Sequence, residues 1–188
     1  MFDTVLIAGL GLMGGSMAKA IKARTLSRVL GWNRTRATAE QALSDGAIDA
    51  IATEALYKEA DLVIIGLYPQ ATVDWLLENM PKMKKGCVVV DMVGVKQFMV
   101  DRLEQAALDA GVHFVGGHPM AGREFSGLDF SLPTLFDGAS MIFVPTKSST
   151  ERVLEQLEAY FMSLGFGQTV RCTAAQHDKM IAFTSQLA

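Results

Sequence analysis

The chain has 188 residues, half of them hydrophobic, enough to bury a sizeable core in one domain or one domain plus a fragment. Seventeen basic and twenty acidic residues leave a formal charge of -3 with no long run of either sign, which argues against nucleic acid or an anionic membrane as partner and leaves small molecules. Cys87 and Cys172 have neither metal-ligand spacing nor the count of a disulfide framework, and no apolar run suits a signal peptide or a membrane span. These features describe a cytoplasmic protein with free thiols and no metal site.

Taken in chain order, "TVLIA" (Thr4 to Ala8) is an unbroken apolar run that ends in glycines, as expected of a strand buried on both faces. A helix from Met13 to Arg24 follows, then a strand from Arg28 to Trp32, a helix over "TRATAEQALSDG" closing at Gly46, and a buried strand from Asp61 to Leu67. The alternation continues with helical "ATVDWLLENM", a strand from Gly86 to Asp91, and a helix over "KQFMVDRLEQAALDAG" whose apolar positions recur at three- and four-residue steps. After "VHFVG" the pattern lapses in "GGHPMAGREFSG" (Gly116 to Gly127), which reads as a built loop. "ASMIFVP", "STERVLEQLEAYFMSLG" and "QTVRC" then read as strand, helix and strand. The predicted fold is α/β: a Rossmann-type, doubly wound, mostly parallel sheet.

The last segment, "TAAQHDKMIAFTSQLA", has Thr173 as a candidate N-cap and runs apolar to Ala188 with neither Gly nor Pro to stop it. The expected division is therefore a nucleotide-binding domain over residues 1–171, and over 172–188 the first helix of a truncated all-helical domain.

Gly9 to Gly14 spell "GLGLMG", the G-x-G-x-x-G pattern, at the end of the first strand and the start of the first helix. In that setting Gly9 permits a tight turn, Gly11 admits a pyrophosphate close to the backbone and Gly14 lets the helix pack on the sheet, with Leu12 and Met13 between them. The helix N-terminus adds unpaired N–H groups and a partial positive charge. The second strand ends in "WNRTR": Asn33 stands nineteen residues after Gly14, where an acid would bind the ribose of NAD. It carries no charge, whereas Arg34 and Arg36 can reach a 2′-phosphate and Thr35 can donate to one. The cofactor reading is NADP or NAD, leaning to NADP; the alternative is that Arg34 stacks on adenine or meets solvent while Asn33 binds a ribose hydroxyl. Leu67, Tyr68 and Pro69 stand at the end of the third predicted strand, at the edge where ligands of this fold bind, though Tyr68 equally fits a half-buried aromatic.

His118 follows a strand on that same edge. Its imidazole titrates near neutrality and suits a general base that takes the proton of a carbinol losing hydride. His113 reads as a packed strand residue, and His177, beside Asp178, as a capping or interdomain residue.

"GLGLMGGS", "GHPMAGREFSG" and "HDKMIAFTSQLA", in this order along the whole chain, resemble the prephenate and arogenate dehydrogenases of tyrosine biosynthesis. The resemblance implies oxidative decarboxylation of prephenate to 4-hydroxyphenylpyruvate, or the equivalent reaction of arogenate, with His118 holding the substrate hydroxyl. It also puts Glu124 near the substrate mouth, Ser126 in support of the loop and Ser185 on the far wall. Two departures stand out: "DMVGVK" places Gly94 where many members have a serine beside the histidine, and "TSQLA" places Gln186 where they commonly have a histidine. With Gly94 in that position, His118 needs another orienting group, for which a backbone group or water is expected. The resemblance further implies a homodimer through a following helical domain that supplies an arginine for a substrate carboxylate. Arg123, inside the loop motif, is read as a solvated arginine. The alternatives are a binding module without chemistry of its own and a β-hydroxyacid or imine reductase.

Overall fold

Alternate residues of each apolar run go to opposite faces of one sheet, and helices cover both. The computed structural model describes residues 2–122 and 124–185, with side chains through Phe183. In β1 (Thr4–Ala8), Val5 and Ile7 enter one core while Leu6 and Ala8 enter the other. The first core gathers side chains from α1 (Leu12–Arg24), α2 (Arg36–Ser44) and α6 (Glu151–Ser163). The second gathers them from α3 (Glu54–Tyr57), α4 (Pro69–Asn79) and α5 (Gln97–Ala110).

Between these layers run β2 (Arg28–Trp32), β3 (Ala50–Ile51), β4 (Leu62–Ile65), β5 (Val88–Asp91), β6 (His113–Pro119), β7 (Ser140–Pro145) and β8 (Gln168–Arg171). Their order across the sheet is β3-β2-β1-β4-β5-β6-β7-β8, and every neighbouring pair is parallel except β6 with β7. The chain grows from β1 toward β3 and then restarts beyond β1 at β4. The gap between the C-terminal ends of β1 and β4 is therefore the switch point where this fold class binds its ligands.

The expected doubly wound, mostly parallel sheet is present, with helix and strand ends within a few residues of those expected. The periodicity missed β3 and α3 because a two-residue strand and a four-residue helix are too short to display a period. A larger correction concerns the glycine-rich stretch. Gly116 to Pro119 belong to β6 and pair antiparallel with β7, His118 standing opposite Ile142. Consecutive glycines hide the strand from any side-chain pattern, yet Gly117 has to be small: a Cβ there would lie 2.4 Å from the Asp91 carbonyl oxygen. His118 therefore projects from a paired strand, and only the residues after Pro119 form loop.

Helix α7 (Ala174–Ser185) opens with a capping box. Thr173 Oγ1 accepts from the Gln176 N–H at 3.2 Å and Gln176 Oε1 accepts from the Thr173 N–H at 2.9 Å. This helix packs on α5. Among the described residues no helix is long and apolar enough to cross a membrane.

Candidate active site

The turn after β1 needs its glycines for steric reasons. Gly9 has φ +94°, and a Cβ on it would stand 2.6 Å from the Gly66 carbonyl oxygen at the end of β4. A Cβ on Gly14 would lie 1.8 Å from the Gly9 carbonyl oxygen, so α1 leaves the sheet at a distance only glycine permits. Gly11 differs, for open space stands where its Cβ would be. It caps α1, whose first turn has neither a side-chain cap nor an acidic residue, leaving the positive end of the helix dipole unopposed.

Two adjoining cavities share Gly11, Gly66, Leu67 and Tyr68. One, about 260 Å³, extends past Trp32, Asn33, Arg34 and Thr35 to Trp75; the other, about 300 Å³, extends past Leu12, Met13 and Met92 to Phe125 and Ser126. Together they form a cleft over the switch point, with the α1 N-terminus at its middle. Tyr68 is 86% exposed, not half-buried, and lines both lobes. Pro69 lines neither; it is the first residue of α4, where its missing N–H costs nothing.

At the end of β2 the residues separate by role. Asn33 Oδ1 accepts from the Leu10 N–H at 3.0 Å and its Nδ2 donates to the Thr35 carbonyl oxygen at 3.1 Å, so its amide braces the glycine turn. Arg36 faces Glu40, one turn along α2, at 2.8 Å. Arg34 and Thr35 line the cleft.

His118 lines neither lobe. It stands beside the chain leaving β5, from which Met92 reaches the second lobe. The Cβ position of Gly94 is 3.7 Å from both Cε1 and Nε2 of His118, ordinary contact distance. On the other side of the ring, His118 Nδ1 is 2.8 Å from His177 Nε2. His177 is fully buried, and its Nδ1 is 2.8 Å from Asp178 Oδ1. The carboxylate of Asp178 also accepts from the backbone N–H groups of Lys96 at 2.8 Å and Gln97 at 2.9 Å, capping α5, which has no side-chain cap of its own.

Beneath His118, the Lys96 side chain is fully buried; its ammonium pairs with Asp91 and donates to the Gly117 carbonyl oxygen at 2.6 Å. Burial, then repulsion from His177 whenever that ring is protonated and from the Lys96 ammonium, hold the His118 pKa down at about 4 against the opposing pull of Asp178. Burial pushes the Asp178 carboxyl up, but the hydrogen bonds from Lys96, His177 and Gln97 outweigh it and leave the net shift downward. His118 is thus a neutral ring across the physiological range, and Asp178 a carboxylate.

The capping or interdomain role expected of His177 takes a specific form: its ring, on α7, meets His118 on β6, while the neighbouring Asp178 caps α5. The orienting neighbour expected to be a backbone group or water is this ring, brought from fifty-nine positions away by the packing of α7 on α5. The available signal was the His-Asp pair at the start of an apolar helix. Lys96 gave only the weak signal of a lysine shortly after a buried strand. His113 lies at the opposite end of β6, where its Nδ1 is 2.5 Å from the Ser148 carbonyl oxygen. Glu124 and Ser126 are exposed in the loop after β6, and Ser126 lines the second lobe. Ser185 is the last residue of α7, and its side chain lies outside the described residues, as do Arg123 and Gln186.

A doubly wound sheet with a glycine turn at its switch point defines the Rossmann-type dinucleotide-binding class. Within that class, the chain belongs to the family described as "Prephenate dehydrogenase, nucleotide-binding domain", whose model matches residues 17–168. It is similar to a prephenate dehydrogenase of Bacillus subtilis (strain 168), with 37% identity over 162 residues that cover 84% of this chain and 43% of that protein. It superposes on the crystal structure of Synechocystis arogenate dehydrogenase with TM-score 0.91 and 27% identity, over 98% of this chain and 64% of that one. For prephenate dehydrogenase from A. aeolicus, in complex with hydroxyphenyl propionate and NAD+, the TM-score is 0.87 and the identity 27%, over 96% of this chain and 63% of that one. The chain spans less than half the length of the first relative and less than two thirds of the other two.

Proposed function

We propose that the whole protein is an NAD(P)-dependent dehydrogenase of a cyclohexadienyl substrate, prephenate or arogenate, with His118 as its general base. The carrying observation is a histidine held neutral by burial, braced on one side by His177 and bordered on its Nε2 side by Gly94, two residues from the cleft-lining Met92.

The cleft fits a dinucleotide by its own geometry. The open space at Gly11 admits a pyrophosphate to the α1 N-terminus, Arg34 and Thr35 border the adenosine lobe, and Leu12, Met13, Leu67 and Tyr68 border its centre and the second lobe. Bound there, the nicotinamide supplies a hydride acceptor. His118 Nε2 then takes the proton of the substrate hydroxyl as its carbon loses hydride, and departure of the ring carboxyl as CO₂ makes the step irreversible through aromatisation. Glu124 and Ser126 border the substrate entrance. Residues 1–171 form the nucleotide-binding unit, and residues 172–188 begin a helical unit that completes the substrate pocket and the homodimer.

NADP is the better-supported cofactor. Asn33 is uncharged and already committed to Leu10 and Thr35, so no carboxylate repels a 2′-phosphate, and Arg34 is in position to meet one.

An absorbance assay at the nicotinamide band, with prephenate, arogenate and a panel of β-hydroxyacids, tests the reaction. Turnover of either cyclohexadienyl substrate is expected; turnover of a hydroxyacid with neither of them would overturn the reading in favour of a reductase. Fluorescence titration should give tighter binding of NADPH than NADH, with Arg34→Ala weakening NADPH much more than NADH. Equal effects on the two would remove the NADP preference.

A further inference from the structure

We infer that His177, itself held by Asp178, is a positioning residue that presents His118 with its proton on Nδ1 and its Nε2 bare toward Gly94. This rests on the reading of His118 as base and adds the group that aims it.

With both imidazoles neutral, the hydrogen-bond chain allows one order of donors. An ionised carboxylate only accepts. Both oxygens of Asp178 take backbone N–H groups of α5, so His177 Nδ1, 2.8 Å from Oδ1, has to donate as well. A neutral imidazole with its proton on Nδ1 has a bare Nε2 that can only accept, and the atom facing it at 2.8 Å is His118 Nδ1. His118 therefore donates from Nδ1, and its remaining nitrogen is a free lone pair. The opposite tautomer of His118 would set two bare nitrogens against each other beside a fully buried ring, leaving both unsatisfied where solvent cannot help.

The consequence concerns Gly94. A serine hydroxyl at that position would stand on the Nε2 side of the ring; in this chain that side is left to the glycine, and orientation comes from the Nδ1 side, through α7. The logic is that of a base held in the correct tautomer by a buried acceptor, with a second imidazole inserted between base and carboxylate. Because Asp178 also caps α5, the carboxylate cannot swing away without uncapping that helix.

Nitrogen NMR of [15N]histidine-labelled protein separates protonated from bare ring nitrogens, and the chain has only three histidines to assign. At neutral pH His118 should show a protonated Nδ1 and a bare Nε2. In His177→Ala the two tautomers should mix and kcat should fall about 10²-fold or more, the scale of a wrong-tautomer defect, with cofactor affinity retained. His177→Gln, whose amide oxygen can accept from Nδ1, should restore the Nδ1–H form and part of kcat. A proton on Nε2 in the wild-type protein, a measurement that needs no variant to fold, overturns the proposal. So does an unchanged His118 tautomer in His177→Ala; if His118→Asn is nevertheless inactive, the base reading survives that failure. Full turnover in His118→Asn overturns the base reading instead.

Discussion

At the scale of the residue, the site depends on holding one imidazole neutral and immobile. Burial and two neighbouring cationic or ionisable groups disfavour the charged form of His118, so its lone pair is available well below the pH where a free histidine would lose it. Replacing it by Asn keeps a polar side chain of similar reach while removing the imidazole proposed as the base. His118→Asn is expected to bind NADPH as the wild type does and to lose roughly 10²- to 10⁴-fold in turnover. Titration of the variant with cofactor, followed by a rate measurement at saturation, checks both halves; a parallel loss of cofactor binding would make His118 a structural residue. Its candidacy was legible in the sequence from one histidine following a strand on the cofactor edge. Its partner was not, because a side chain fifty-nine residues away leaves no local pattern.

At the scale of the element, the N-terminus of α5 is where the site is assembled. This helix borrows its cap from Asp178 of α7, and Lys96 at its start sends its ammonium under β6 to Asp91 and Gly117. Both partners of the Lys96 and Asp91 pair are fully buried. Removing one partner of such a pair leaves an uncompensated charge in a low-dielectric interior, which costs more than the pair contributes when intact. Lys96→Met should therefore destabilise the fold by about 3–5 kcal/mol. The midpoint of a urea transition should fall with little change in slope. The double variant Asp91→Asn with Lys96→Met should recover part of the loss, since it leaves no lone buried charge. An additive double variant would mean that the pair is not coupled.

At the scale of the whole molecule, the titrating groups agree on a direction. His118 has its folded pKa below its unfolded value of 6.5, so the unfolded chain binds more protons between about 4 and 6.5, and stability falls as pH drops through that window. The carboxyls of Asp49, Asp61, Glu104, Glu158 and Asp178 are also held below their ordinary values, and their contribution, complete above those values, is lost as the pH falls below them. Denaturation midpoints measured from pH 7 to pH 3 should decline in two stages. His118→Asn should flatten the first stage and spare the second; an unaltered first stage would show that His118 is not depressed in the folded protein.

The sequence by itself determined what local chemistry and periodicity can carry: buried strands as unbroken apolar runs, helices as three- and four-residue repeats, and a turn built on Gly9, Gly11 and Gly14. Resemblance of three motifs pointed from there to the family. Only the tertiary structure decided that Gly116 to Pro119 extend a strand, because the hydrogen bonds to β7 that define it involve residues whose side chains show no pattern. It also decided that Asn33 braces the turn, that Arg36 is spent on Glu40, and that His118, His177 and Asp178 form one chain of contacts. Periodicity reports which side of an element is buried; it does not report which buried polar atoms meet, since that depends on how α7 docks on α5.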